Sequence, residues 1–95
     1  MATRTDRDPA SMTASEINRE LDRIDARRSR NTDAFIVAGR GEERPSEYLA
    51  KDDPLSLEAR AIHERASALR AEIARRYGPG APSRLPRGYG PRVRV

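Results

Sequence analysis

The fold is decided by residues 55–77, which read LSLEARAIHERASALRAEIARRY. Apolar side chains recur in this stretch at alternating spacings of four and three residues, at Leu55, Ala59, Ile62, Ala66, Leu69 and Ile73. This spacing is typical of the buried stripe, or seam, of an amphipathic helix. Asp53 and Pro54 suit the start of a helix as N-cap and first helical residue, and Gly78 suits its end. The sequence therefore predicts a helix over residues 54–77.

A second seam precedes this one in the chain. Its apolar members are Ala14, Ile17, Leu21, Ile24, Phe35 and Ala38. Thr13 and Glu16 have the spacing of a capping box, which marks the start of a helix. Gly39 follows the last apolar position and is suited to end the helix in a left-handed conformation.

Two polar residues, Arg28 and Asn31, occupy seam positions in this second pattern. They leave two interpretations open. Either one helix runs over residues 14–38, or it ends near Arg30 and a further turn starts two or three residues later. We favour the continuous helix because the apolar spacing resumes in phase after the interruption.

The two seams predict an all-α fold, an antiparallel two-helix hairpin over residues 13–77. The connection contains two glycines and a proline, which break helices, and we expect residues 46–51 to form a short helical turn within it. Residues 1–12 are polar and are expected to be a disordered lead-in. Residues 78–95 hold four Gly, four Pro and four Arg with no acidic residue, so they are expected to be a flexible basic tail.

The sequence predicts no catalytic residue, no cofactor and no metal site. His63 is the one histidine and there is no cysteine, so neither a metal-ligand set nor a nucleophile with its base is apparent. The Gly-x-Gly at 39–41 lacks the residues of a phosphate-binding loop. No apolar run is long enough to span a membrane. We therefore expect a soluble cytoplasmic protein without a membrane partner or a small-molecule substrate.

Two further stretches carry a resemblance to known proteins. Residues 39–56 read GRGEERPSEYLAKDDPLS, and residues 75–90 read RRYGPGAPSRLPRGYG after an Ala/Arg-rich helix. With these features, the chain from Met12 to Gly90 resembles short helical proteins encoded by actinobacteria and their phages. The resemblance implies a phage or mobile-element accessory protein, which could be associated with the virion and its assembly. It implies no functional residue.

The small apolar content favours a protein that binds another protein or a second copy of itself. Leu, Ile, Val and Phe make up only 15 of the 95 residues, so a self-sufficient core is hard to build. The leading hypothesis is a non-catalytic protein–protein interaction or assembly module with coiled-coil-like seams, whose tail orders on the partner. The residues expected to contact the partner are Phe35, Ile36, Tyr48, Leu69 and Tyr77.

The alternative hypothesis is a small nucleic-acid-associated protein. Arginines in an acid-free segment can neutralise phosphates, and an aromatic ring can stack on an exposed base. The tail residues expected to make these contacts are Arg84, Arg87, Tyr89, Arg92 and Arg94.

Overall fold

In the computed structural model of the chain, residues 7–90 are described. A short 3-10 turn over Pro9–Ser11 is followed by three α-helices, which are α1 (Ala14–Val37), α2 (Pro45–Tyr48) and α3 (Pro54–Tyr77). The chain contains no strand between residues 7 and 90. The two long helices pack together, so the predicted all-α two-helix hairpin is confirmed.

The ends of the long helices lie where the capping residues predict. The Thr13 N–H donates to the Glu16 carboxylate at 2.8 Å, and the Glu16 N–H donates back to the Thr13 hydroxyl at 3.1 Å. At the start of α3, the Ser56 N–H donates to the Asp53 carboxylate at 3.1 Å. Gly39 and Gly78 have φ of 76° and 98°, a left-handed conformation that glycine adopts without strain. Of the two interpretations of α1, the continuous helix is correct.

The short helix in the connection differs in detail from the predicted turn. It begins at Pro45 because the preceding residue, Arg44, supplies the capping geometry, with its N–H donating to the Glu47 carboxylate at 2.9 Å. Ser46, the first residue of the predicted turn, therefore lies inside the helix. The helix ends at Tyr48, three residues before the predicted end.

The chain divides into two compact units, and each long helix contributes to both. The first unit comprises the chain up to Asp22 together with the chain from Ser67 onward, and the second comprises Arg23–Ala66. In the first unit the buried apolar side chains are Met12, Ile17, Leu21, Leu69, Ile73 and Leu85. In the second they are Ile24, Phe35, Ala59, Ile62 and Ala66.

The first unit contains a buried ion pair that fixes both of its non-helical segments. The Arg76 side chain is 1% exposed, and its Nε donates to the Glu72 carboxylate at 2.5 Å. Its two terminal nitrogens donate to the carbonyls of Tyr89 at 3.1 Å and Pro9 at 2.9 Å. A buried charge is tolerated when such partners satisfy it. Arg76 thereby holds the lead-in and the tail on α3.

The described part of the tail packs against α1. The Asn18 side chain pairs with the backbone of Leu85, accepting from its N–H and donating to its carbonyl, both at 2.9 Å. Leu85 is buried, and Arg84 donates to Asp22 at 3.0 Å. Residues 78–90 are non-helical, but their Gly/Pro-rich composition does not predict this packing, because the partner of Leu85 lies 67 residues away in the sequence.

The N-terminal lead-in also makes defined contacts where it is described. Asp8 accepts a hydrogen bond from the Ala10 N–H at 3.0 Å, which starts the 3-10 turn, and Met12 is buried. The disorder expected of residues 1–12 stays a prediction. The rest of the predicted lead-in, residues 1–6, and the tail residues Arg92 and Arg94 lie outside the described residues.

Candidate binding groove

An open groove of about 480 Å³ lies in the second unit, and we call it the Phe35 groove. Its larger apolar lining residues are Phe35, Ile36, Pro45, Tyr48, Leu49 and Ile62. Its polar lining residues are Arg28, Asn31, Thr32, Arg40, Glu43 and His63. An apolar floor with a few polar groups at its edge is the usual composition of a binding site.

The groove exists because the seam of α1 is interrupted. Arg28 and Asn31 occupy two successive seam positions, and on α3 the small Ala59 lines the same groove. No large apolar side chain fills the space that these positions leave. The Asn31 side-chain amide instead donates to the Leu55 carbonyl at 3.2 Å.

The aromatic wall of the groove is fixed by one arginine. The rings of Phe35 and Tyr48 lie 5.0 Å apart at 45°, and the Arg40 guanidinium lies 4.7 Å from the centre of the Phe35 ring. Arg40 also donates to Glu43 at 2.7 Å and to Asp53 at 2.6 Å. Charge-assisted bonds to one planar group give it a defined orientation. Arg40 thus ties the connection to the end of α1.

The electrostatics of this cluster follow from its hydrogen bonds. The bonds that Arg40 makes with Glu43 and Asp53 raise the pKa of its guanidinium. The bond from Arg40 lowers the pKa of Asp53 well below its usual range, and hydrogen bonds from Ser56 lower it further. Ser56 is fully buried, and its hydroxyl accepts from Arg40 and donates to Asp53. Arg40, Glu43 and Asp53 are therefore all ionised near neutral pH, and Lys51, which donates to Glu43 at 3.2 Å, supplies the second positive charge.

A second arginine, Arg60, fixes the part of the connection that follows α2. Arg60 on α3 donates to the Leu49 carbonyl at 3.1 Å and to the Lys51 carbonyl at 2.6 Å. These carbonyls follow the end of α2, where helical partners are lacking. Leu49 is thereby held in the wall of the groove.

Three of the five residues predicted to contact a partner lie together at this groove. Phe35, Ile36 and Tyr48 all line it, with Ile36 60% exposed. The other two lie in the first unit. Leu69 is 0% exposed and its side chain belongs to the internal core, so it offers no surface to a partner. Tyr77 is partly exposed and packs on Tyr89, with ring centres 5.2 Å apart.

Some of the tail residues predicted to contact nucleic acid are already bound to other residues of the chain. Arg84 is bound to Asp22 and to the Ser83 carbonyl within the chain. Arg87 is exposed, and Tyr89 contacts Tyr77 while its carbonyl accepts from Arg76.

Other residues of the groove were not predicted to contact a partner. Leu49 and Ile62 are apolar residues of the kind expected in a core, so nothing in the sequence around them indicates that they line a groove. Arg28 and Asn31 do give a signal, because a polar pair at two successive seam positions indicates a place where helix packing is incomplete.

Within residues 7–90 there is no group of three or more acidic, His or Cys side chains that could hold a metal ion. None of the helices described here is both long enough and apolar enough to cross a membrane. Comparison of the chain with known protein families, curated proteins and solved structures finds no match.

Proposed function

We propose that the chain is a non-catalytic protein–protein interaction module whose docking surface is the Phe35 groove. The observation that carries this proposal is Ile36, a large apolar side chain 60% exposed at the edge of an open apolar groove. Exposed apolar surface of this kind, rimmed by polar residues, marks interaction sites. An aromatic floor is also typical of the few residues that dominate binding energy at protein interfaces.

The fixed walls of the groove support this function. The Arg40 and Arg60 hydrogen bonds hold the connection in place without a bound partner. A preformed surface loses less conformational entropy on binding than a mobile loop does, and this favours affinity. A groove of this size accommodates the apolar side chains of a short helical or extended segment.

The proposal is tested by site-specific photo-cross-linking in the native cells. A benzoylphenylalanine at Thr32, which lines the groove, should cross-link to a discrete protein. The matched control carries the same group at Ser29, an exposed position of α1 outside the groove. Adding Ile36→Asp to the Thr32 variant should abolish the product. Equal products from both positions, or a product insensitive to Ile36→Asp, would contradict the proposal.

Size-exclusion chromatography with light scattering separates this function from the alternatives. A discrete mass with little absorbance at 260 nm is expected, since the chain has no Trp and only three Tyr. Co-eluting nucleic acid that is released by salt would instead favour the tail as a phosphate-binding segment. We do not propose that function, because Arg84 is bound to Asp22.

A further inference from the structure

The Phe35 groove has a cation at its edge where the seam pattern calls for an apolar residue. Arg28 occupies this seam position of α1, lines the groove and has a side chain that is 43% exposed. Its Nη1 lies 3.6 Å from the Asp25 carboxylate, which is beyond hydrogen-bond distance. The guanidinium therefore retains donors that a ligand in the groove can reach.

The other charged side chains that line the groove are neutralised within the chain. The Glu43 carboxylate accepts from Arg40 at 2.7 Å and from Lys51 at 3.2 Å. Arg40 in turn binds Asp53 as well as Glu43. Among the lining charges, Arg28 is thus the one held least tightly within the chain, because its ion pair with Asp25 is exposed and 3.6 Å long. On α3, the exposed His63 adds a ring nitrogen to the same polar rim.

We infer that the Phe35 groove receives an acidic amphipathic segment of a partner protein, with an apolar side chain seated on Phe35 and Tyr48 and a carboxylate within one turn of it bound to Arg28. This inference rests on the proposed function and adds the chemistry of the partner. A carboxylate matches the planar guanidinium in a bidentate pair, whereas a basic segment would be repelled. Complementary charge at an interface chiefly provides specificity and faster association.

The test uses the full chain and three synthetic peptides. Each is an alanine-based helix with two leucines four residues apart, and the residues flanking the leucines are all Glu, all Gln or all Lys. Binding is followed by two-dimensional amide NMR. The Glu peptide should bind most tightly and perturb the amides of groove residues such as Thr32, Ile36 and Gly41. Its affinity should exceed that of the Gln peptide by about fivefold, as expected for one partly exposed ion pair.

Charge reversal distinguishes binding by Arg28 from general attraction to a basic chain. Arg28→Glu should reverse the order, so that the Lys peptide binds more tightly than the Glu peptide. Arg23→Glu, an exposed position of α1 that does not line the groove, is the matched control and should leave the order unchanged. Ile36→Asp should weaken all three peptides. Rescue of Arg28→Glu by the Lys peptide also shows that this variant is folded.

Several outcomes would overturn the inference. They are no binding of the Glu peptide, equal binding of the three peptides, or an equal effect of Arg23→Glu and Arg28→Glu. A dimer of the chain that Ile36→Asp dissociates would make a second copy the occupant and would also overturn it. The proposed function has its own test in the Thr32 cross-link, so it stands if the cross-link forms and the peptides show no preference for acid.

Discussion

At the scale of single residues, two residues of the same type have different roles when the fold buries one and exposes the other. Leu69 is 0% exposed in the core of the first unit, whereas Leu57 on the same helix is 45% exposed. Both belong to an apolar-rich stretch of sequence, and only their position relative to the seam distinguishes them. The seam pattern therefore predicts which leucine stabilises the fold.

We expect Leu69→Ala to lower the free energy of unfolding by about 2–5 kcal/mol, because it removes buried methyl groups and leaves a cavity. Leu57→Ala is the matched control and should change it by less than about 1 kcal/mol. Urea denaturation followed by circular dichroism measures both. Equal effects of the two substitutions would contradict the assignment of Leu69 to the core.

Arg40 is the residue on which the walls of the groove depend most directly. Arg40→Lys should loosen the connection although it retains the charge, because a lysine cannot bind Glu43, Asp53 and Ser56 with one planar group. Faster amide hydrogen exchange in residues 38–53 is the expected result. Arg44→Lys, at an exposed position in the same connection, should leave the exchange rates unchanged. Equal exchange rates in both variants would contradict this role.

At the scale of elements, α1 combines a packing function with a binding function in one seam. Its apolar positions pack against α3, and its two polar positions open the groove. A seam that is polar where it could be apolar gives up stability, as is common at functional sites.

We therefore expect Arg28→Leu to raise the free energy of unfolding by about 1 kcal/mol, because it restores an apolar residue to the seam. The same substitution should weaken binding of the acidic peptide. Arg23→Leu, at an exposed position, serves as the control and should produce neither effect. A loss of stability in Arg28→Leu, measured by urea denaturation, would show that the arginine serves packing.

The elements also show how far the sequence predicts the structure. Helical periodicity and capping residues are local signals, and they predict α1 and α3 to within one residue at each end. The groove and the packed tail depend on contacts between distant residues. Leu85 is held by Asn18, and Leu49 by Arg60, and no local pattern indicates either pair. The composition of the Gly/Pro-rich segment likewise does not predict that its one leucine, Leu85, is buried.

At the scale of the whole molecule, several acidic side chains are bound to arginines in the folded chain. Hydrogen bonds from arginine lower the pKa of Glu43, Asp53, Glu58 and Glu72. The folded chain therefore binds fewer protons than the unfolded chain when these groups begin to titrate. Unfolding takes up protons, so acid favours the unfolded state.

We expect stability to be full at neutral pH and to fall progressively below about pH 4.5, the ordinary pKa of a glutamate. Thermal unfolding measured by circular dichroism between neutral pH and about pH 3 checks this. Glu72→Gln should lower stability at neutral pH and reduce its pH dependence, because it removes a carboxylate whose pKa is lowered in the folded chain. Glu42→Gln, at an exposed position of the connection, should leave the pH dependence unchanged. A stability that rises on acidification would contradict the ion-pair assignment.

The hydrogen bonds of Arg76 also have a topological consequence. One guanidinium holds both Pro9 and Tyr89, so the two ends of the described chain lie side by side. Neighbouring ends are the condition under which a circular permutation is tolerated. A short linker from residue 90 to residue 7, with new ends at the exposed Glu42, would place α3 before α1 in the sequence while every helix keeps its neighbours. The order of the helices along the chain is thus separable from their arrangement in space.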